Sequence, residues 1–200
     1  MNRVDFFVSC FKGDVLNIGC YGSDCYDSMR ASGYKDLQGL DIVEGNKEKN
    51  ILLGDVLKMS FVNKFDVIIA GELIEHFSLF ESKKFLRNCG RALRPNGLLV
   101  LSTPNKLAWS NRLFHKFDNA NPEKYSEHKH VFKIEELKEF LGENGFLVKT
   151  CFCLSYDVHS SPNWHPLIYS FRSFIHNFLP IGLQEEIIIR AVKKNDATNI

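Results

Sequence analysis

The chain has 200 residues, a formal net charge of +1 and an apolar fraction of 44%. This length and apolar content predict one domain, residues 1–200, with a substantial core. The near-neutral charge supplies no general attraction for nucleic acid or an anionic membrane, so we expect neither partner. No apolar run approaches the roughly 20 residues of a membrane span, and residues 1–7 lack the apolar stretch of a signal peptide. With six cysteines and no CxxC pair, the sequence favours reduced thiols and a cytoplasmic location.

Short apolar runs alternate with segments of helical periodicity along the chain. The predicted strands are residues 14–18, 37–40, 51–53, 65–70, 98–101, 146–154 and 185–192. The predicted helices are residues 4–11, 24–31, 72–77, 81–93, 134–143 and 166–179. A turn is predicted at residues 94–97 (Arg-Pro-Asn-Gly), and residues 43–50 are too short and polar for a crossover helix. This order predicts an α/β protein whose mostly parallel sheet is covered on both faces.

Glycine or aspartate follows the first four predicted strands, at Gly19, Asp41, Asp55 and Gly71. Parallel strands end at the same edge of a sheet, so these residues line one crevice. An acidic residue after the second strand suits the hydroxyls of a ribose, although Asp41 could also be a helix cap or turn residue. Asp55 could accept a hydrogen bond from an exocyclic amine such as that of adenine, or serve only in a turn. The pattern therefore predicts a nucleoside site.

Two common nucleotide-binding motifs are absent from the sequence. It has no GxxxxGK[ST] segment, which argues against a P-loop nucleotidase. The segment from Gly19 to Gly22 lacks the third glycine of the GxGxxG dinucleotide motif. A cofactor with a nucleoside but no pyrophosphate fits better.

Five segments together resemble the class I S-adenosylmethionine-dependent methyltransferases. They are Val15–Ser23, Leu40–Ile42, Gly54–Val56, Phe65–His76 and Leu93–Leu99. The segments 102–105 (Ser-Thr-Pro-Asn) and 130–132 (His-Val-Phe) are typical of a bacterial subgroup often found with glycan and cell-surface assembly functions. The similarity covers about residues 14–192. It implies a Rossmann-like sheet of seven strands, mostly parallel and flanked by helices, with the last strand antiparallel, and S-adenosylmethionine as cofactor.

The resemblance also implies the cofactor-binding residues. They are Asn17, Gly19, Cys20, Tyr21, Gly22, Asp41, Ile42, Asp55, Val56 and Gly71. Two of them depart from the family pattern, because Asn17 stands where the family usually has an acidic residue and Tyr21 where it has its central glycine. The loop path is therefore expected to differ, and a degenerate, non-catalytic family member acting as a partner or scaffold is an alternative.

His76 and Glu72 are the predicted catalytic residues. If residues 72–77 form a helix, the two side chains share one face at the cofactor crevice. His76 could then act as general base for an acceptor that must lose a proton. The alternative is that Glu72, Glu75 and His76 only cap and stabilise this helix.

No metal is predicted, but one metal-dependent alternative is open. Glu72, Glu75 and His76, with His128 or His130, resemble the metal-binding set of the small-RNA 2′-O-methyltransferases of the Hen family. Carboxylate and imidazole ligands would suit Mg²⁺ or Mn²⁺ holding ribose hydroxyls. No clear basic stripe for RNA accompanies the set.

The predicted function is transfer of a methyl group from S-adenosylmethionine to the hydroxyl of a small molecule or sugar. The acceptor is thus a small molecule or glycan, and the oligomeric state is left open. Two substrate-facing inserts, residues 104–130 and 156–182, are expected to select it, because both follow strands at the cofactor end of the sheet.

Overall fold

The computed structural model describes residues 3–20, 24–108, 127–154, 180 and 183–194. The strands are β1 (Val15–Ile18), β2 (Leu37–Asp41), β3 (Ile51–Leu53), β4 (Phe65–Gly71), β5 (Leu93–Pro104), β6 (Phe146–Leu154) and β7 (Glu186–Lys193). The α-helices are α1 (Arg3–Ser9), α2 (Asp24–Ala31), α3 (Leu79–Ala92) and α4 (Ile134–Glu143). Tyr21, Gly22, the predicted helix 166–179 and most of both predicted inserts lie outside the described residues.

The seven strands form one sheet in the order β3-β2-β1-β4-β5-β7-β6. Strands β1 to β5 pair in parallel, and β7 runs antiparallel between β5 and β6. This arrangement confirms the predicted α/β sheet and its antiparallel last strand. The strand order reverses direction at β1, which has β2 on one side and β4 on the other. Open α/β sheets bind ligands at such a switch point, beyond the carboxyl ends of the strands.

Helices cover both faces of the sheet, and each face has its own core. Alternate residues of a strand point to opposite faces. In β4, Ile68 and Ala70 pack with residues of α3 and α4, whereas Val67 and Ile69 pack with residues of α1 and α2. None of the helices in the described part of the chain is long and apolar enough to cross a membrane.

Two predicted elements are wrong. Residues 72–77 do not form an α-helix, because Glu72 has a φ of +49° and only a single 3-10 turn, Ile74–His76, follows it. The predicted turn at residues 94–97 lies inside β5, where the register moves from the pair Phe65–Leu93 to the pair Val67–Leu98. More residues of β5 than of β4 lie between these two pairs, so the pairing is irregular there, and Asn96 within this stretch has a φ of +60°.

A capping box begins α3 and connects it to the segment at residues 127–130. The Ser78 hydroxyl oxygen accepts a hydrogen bond from the Glu81 main-chain N–H, and the Glu81 carboxylate accepts one from the Ser78 main-chain N–H at 2.9 Å. Lys129 Nζ lies 3.0 Å from Glu81 Oε2. The hydrogen bonds from Ser78 and Lys129 lower the pKa of Glu81 to about 2.

Ser78→Ala should lower the free energy of unfolding by about 1 kcal/mol, because it removes a helix N-cap. Denaturant unfolding at pH 7 measures this, with the exposed Ser60→Ala as a variant expected to be neutral. The contribution of Glu81 should persist above its ordinary pKa of 4.5 and disappear as the pH falls toward 2, since its pKa is lowered in the folded protein. Equal stability of Ser78→Ala and the wild type would contradict the capping role.

Candidate active site

The described residues predicted at the strand ends meet at one edge of the sheet. Ile18 pairs with Leu40 on one side and with Ala70 on the other. Main-chain hydrogen bonds extend this alignment beyond the strands, from the Gly19 N–H to the Leu40 carbonyl at 2.9 Å and from the Gly54 N–H to the Asp41 carbonyl at 2.7 Å. The residues that the structure brings together there are Gly19, Asp41, Asp55 and Gly71.

Two glycines at this edge are needed for backbone conformation or close packing. Gly19 has a φ of +73°, which an L side chain rarely adopts. A Cβ atom at Gly71 would lie 3.2 Å from the ring of Phe7, so the absence of a side chain lets α1 pack against the end of β4.

The two aspartates are oriented by their own turns. Asp41 Oδ1 accepts a hydrogen bond from the Val43 main-chain N–H, and Asp55 Oδ1 accepts one from the Leu57 N–H, both at 2.8 Å. Each carboxylate is therefore held in place by the main chain two residues later. The turn role is observed for both residues, and it is compatible with a second role in ligand binding.

Large apolar side chains lie exposed beside these aspartates. Ile42, Val43 and Leu53, at the carboxyl ends of β2 and β3, are 68%, 70% and 66% exposed. Exposed apolar patches next to polar groups commonly mark ligand sites. Val56 differs, since its side chain is buried in the core and its carbonyl accepts a hydrogen bond from Asn88 Nδ2 at 2.9 Å.

Asn17 and Cys20 are buried next to the predicted cofactor loop. The Asn17 side-chain nitrogen lies 3.9 Å from the Met29 sulfur, on the sheet face that α2 covers. Cys20 packs so close to Gly39 that a Cβ atom there would lie 2.6 Å from its sulfur. Burial, with the charge of Asp41 nearby, raises the pKa of Cys20 to about 12.

A group of carboxylates occupies the other half of the crevice, at the ends of β4 and β7. Arg3 of α1 lies 2.9 Å from Glu186 Oε1 and 3.8 Å from Glu72 Oε1. Burial raises the pKa of Glu72 well above its usual range, and the charges of Glu186 and Glu75 add to this effect. Burial likewise raises the pKa of Glu75 to about 7.

Hydroxyl groups at the end of β5 hold two of these carboxylates. Ser102 Oγ donates to Glu72 Oε1 at 3.1 Å, and Thr103 Oγ1 donates to Glu75 Oε2 at 2.9 Å. The sequence patterns assign no site role to Ser102, Thr103, Arg3 or Glu186. Two sequence features could have indicated them: the polar pair Ser102–Thr103 that follows the apolar run of β5, and the pair Glu185–Glu186 at the start of β7.

Glu75, His76 and His128 form a compact group next to these carboxylates. One ligand atom from each lies within 4.8 Å of the other two. The rings of His76 and His128 pack edge to face with centroids 4.9 Å apart. His76 Nδ1 lies 3.1 Å from the Glu127 carbonyl oxygen, which can only accept, so this nitrogen carries the proton. Nε2 of a neutral His76 therefore presents its lone pair.

Two residues of the sequence-based metal alternative lie outside this group. Glu72 does not share a helix face with His76, because its positive φ places it before the 3-10 turn. His130 Nε2 lies 2.8 Å from Glu136 Oε1, and its ring packs on Phe132. The structure thus brings together Glu75, His76 and His128.

A protein-family model described as "Methyltransferase domain" matches residues 10–150. The chain belongs to the class I S-adenosylmethionine-dependent methyltransferases. This membership confirms the family predicted from the sequence motifs, and with it the cofactor of that family. The glycan-associated bacterial subgroup stays a prediction.

Curated relatives of this methyltransferase are longer proteins. A probable S-adenosylmethionine-dependent methyltransferase of Mycolicibacterium smegmatis is 29% identical over 152 residues, which are 70% of this chain and 54% of the relative. The mitochondrial ubiquinone biosynthesis O-methyltransferase of Bos taurus is 27% identical over 194 residues, 86% of this chain and 51% of the relative. A probable S-adenosylmethionine-dependent methyltransferase of Mycobacterium tuberculosis is 28% identical over 109 residues, which are 50% of this chain and 39% of the relative. The chain thus spans about half the length of these relatives, or less.

Solved structures share the fold. A Methanosarcina mazei S-adenosylmethionine-dependent methyltransferase aligns with a TM-score of 0.69 at 14% identity, covering 98% of this chain and 99% of the other. A Burkholderia thailandensis 1,6-didemethyltoxoflavin-N1-methyltransferase aligns with a TM-score of 0.65 at 14% identity, covering 96% of this chain and 76% of the other. That structure was solved with 1,6-didemethyltoxoflavin and S-adenosylhomocysteine bound.

Cys20 should resist alkylation in the folded methyltransferase, because only a thiolate reacts and its raised pKa suppresses that form. Iodoacetamide treatment at pH 8 followed by peptide mass spectrometry measures the extent of modification. Cys151, which is only half-buried, should react faster, and both should react fully in urea. Rapid native modification of Cys20 would contradict its packing against Gly39.

Proposed function

We propose that this protein transfers a methyl group from S-adenosylmethionine to a hydroxyl of a small molecule or sugar. The observation that carries the proposal is the ordered set Gly19, Asp41, Asp55 and Gly71 at neighbouring strand ends. The family supplies the cofactor class, and these residues supply donors, acceptors and space at the switch point of the sheet.

The nucleoside end of the cofactor would lie over β2 and β3. Asp41 would accept hydrogen bonds from the two ribose hydroxyls, a bidentate arrangement that charge strengthens. The exposed side chains of Ile42, Val43 and Leu53 would cover the faces of the adenine, and Asp55 would accept from its amine.

The methionine end would lie between Gly19 and Gly71, near the carboxylates. Glu72 follows Gly71 directly, so the positive sulfonium would favour the ionised form of a carboxyl group whose pKa is otherwise raised by burial. Tyr21 and Gly22 keep their predicted loop roles as a proposal. The buried Asn17 amide and Cys20 thiol would support this loop by packing next to it.

The acceptor would enter on the side of His76. Methyl transfer is an in-line displacement, so alignment of the acceptor oxygen with the methyl group supplies much of the rate. A hydroxyl must also lose a proton, and His76 Nε2 presents a lone pair that could receive it directly. A hydroxyl acceptor is consistent with the name of the Bos taurus relative, an O-methyltransferase. The cytoplasmic location stays a prediction.

Asp41→Ala should weaken S-adenosylhomocysteine binding by roughly 100-fold, since two hydrogen bonds to a charged group are lost. Isothermal titration of wild type and variant measures the change. Asp27→Asn is the matched control, because it removes an exposed carboxylate that pairs with Lys49 outside the strand ends.

Cofactor binding and turnover separate the proposal from its rivals. Transfer of a labelled methyl group from S-adenosylmethionine to polyol, sugar or phenol acceptors would support it. Absence of cofactor binding in the wild type would favour the degenerate, non-catalytic alternative. Cofactor binding with methylation only of an amine or carbon acceptor would overturn the hydroxyl assignment and keep the methyltransferase.

A further inference from the structure

We propose that Glu75, His76 and His128 bind a divalent first-row transition ion on the acceptor side of the crevice. The site follows from these three side chains alone, and its catalytic use rests on the proposed methyl transfer. It differs from the set implied by the Hen resemblance, because Glu72 and His130 are engaged elsewhere.

The spacing of the ligand atoms suits one ion. They lie within 4.8 Å of one another. Two ligands that each lie about 2.1 Å from a common ion can be at most about 4.2 Å apart. Small side-chain rotations would therefore close the group around an ion.

An unpartnered carboxylate oxygen points into this group. Glu75 is 1% exposed, and its Oε2 accepts the hydrogen bond from Thr103. Its Oε1 is buried without a hydrogen-bond partner and lies 4.0 Å from His76 Nε2, too far for a hydrogen bond. Burying a polar atom in this way is costly, and a cation would supply the missing interaction.

The imidazole of His76 is already arranged as a ligand. Its Nδ1 donates to the Glu127 carbonyl, which leaves Nε2 as the coordinating atom. Metal-bound histidines commonly donate their second ring nitrogen to a carbonyl or carboxylate in this manner, which fixes the orientation of the ring.

The segment that carries His128 is anchored at two points. The main-chain N–H groups of Lys129 and His130 both donate to the Glu75 carbonyl, at 2.8 and 3.1 Å. The Lys129 side chain pairs with Glu81 at the start of α3. His128 is thus presented to His76 by residues paired with the 3-10 turn.

The ligand types select the class of ion. Two imidazoles with one carboxylate are typical of Zn²⁺ and of non-haem Fe²⁺, and Mn²⁺ is acceptable. Mg²⁺ prefers oxygen ligands throughout, so this set disfavours it. Three protein ligands leave coordination positions for an acceptor oxygen, and a bound ion lowers the pKa of such a hydroxyl. With the ion bound, His76 Nε2 is a ligand, and the ion takes over the activation of the hydroxyl that the metal-free protein would leave to His76.

Mn²⁺ titration of the chelator-treated full chain, followed by electron paramagnetic resonance, tests the site. We expect one bound Mn²⁺ per chain, and at least a roughly 10-fold weaker affinity in Glu75→Gln and in His128→Ala. His130→Ala is the matched control, since it removes a neighbouring imidazole outside the group and should retain binding. His76→Gln replaces His128→Ala if the latter fails to fold, because the His76 side chain is 34% exposed and its replacement should disturb the core little.

Absence of bound Mn²⁺, or equal affinity in His128→Ala and the wild type, would overturn the proposal. Calorimetry with S-adenosylhomocysteine on the same samples distinguishes this failure from failure of the proposed function, because cofactor binding does not need the three ligands. Where cofactor binds, chelation should abolish methyl transfer and Mn²⁺ should restore it. Full turnover after chelation would overturn the catalytic use of the ion and leave His76 Nε2 as the proton acceptor.

Discussion

The carbonyl group of Glu75 holds together the side of the crevice on which His76 lies. It accepts hydrogen bonds from two successive N–H groups, those of Lys129 and His130, and so fixes a segment more than fifty residues away against the 3-10 turn. The same residue sends its side chain inward to Thr103. The contact of the carbonyl group with that segment places His128 next to His76, where the two rings pack edge to face. One peptide thus determines both the backbone path and the chemistry of this half of the site.

Crowding of negative charge is the main energetic cost of the arrangement. Glu72, Glu75 and Glu186 are near one another, and Arg3 is the cation whose ion pairs with Glu72 and Glu186 the structure shows. The raised pKa values of Glu72 and Glu75 report that the ionised forms are disfavoured by burial and by one another. Positive ligands would relieve this repulsion. The sulfonium of the cofactor and a divalent ion are both of that kind, and they would act on neighbouring parts of the same cluster.

The sequence predicted the sheet well because buried parallel strands are short, continuous apolar runs with glycine or aspartate at their ends. The run 65–70 and the acidic residue that ends β2 are clear examples. The prediction of a helix at residues 72–77 was wrong because local spacing cannot reveal that Glu72 adopts a left-handed conformation. The turn predicted at residues 94–97 was wrong because Pro and Asn-Gly also suit an irregular stretch within a strand.

The side of the crevice on which His76 lies was harder to predict, since its contacts join residues that are distant in sequence. Thr103 can donate to Glu75 because β5 lies beside β4 in the sheet. Glu186 lies near these residues because β7 is the next strand after β5. Nothing local distinguishes His128 from His130 as the partner of His76. The choice is made by a hydrogen bond of His130 to Glu136 in α4. The positions of strand ends can thus be predicted from the sequence, whereas the contacts between segments that are distant in sequence cannot.

The ion pair between Arg3 and Glu186 joins residues 183 positions apart, from the first helix and the last strand. Strands β1 to β4, with Gly19, Asp41, Asp55 and Gly71 at or just beyond their ends, lie within the first 71 residues. The ion pair requires β7, which lies between β5 and β6. Closing so long a loop costs more conformational entropy than the shorter connections between β1 and β4 do. The two halves of one crevice thus differ in the sequence separation of the residues that form them, because one is built from neighbouring segments and the other joins α1 to β7.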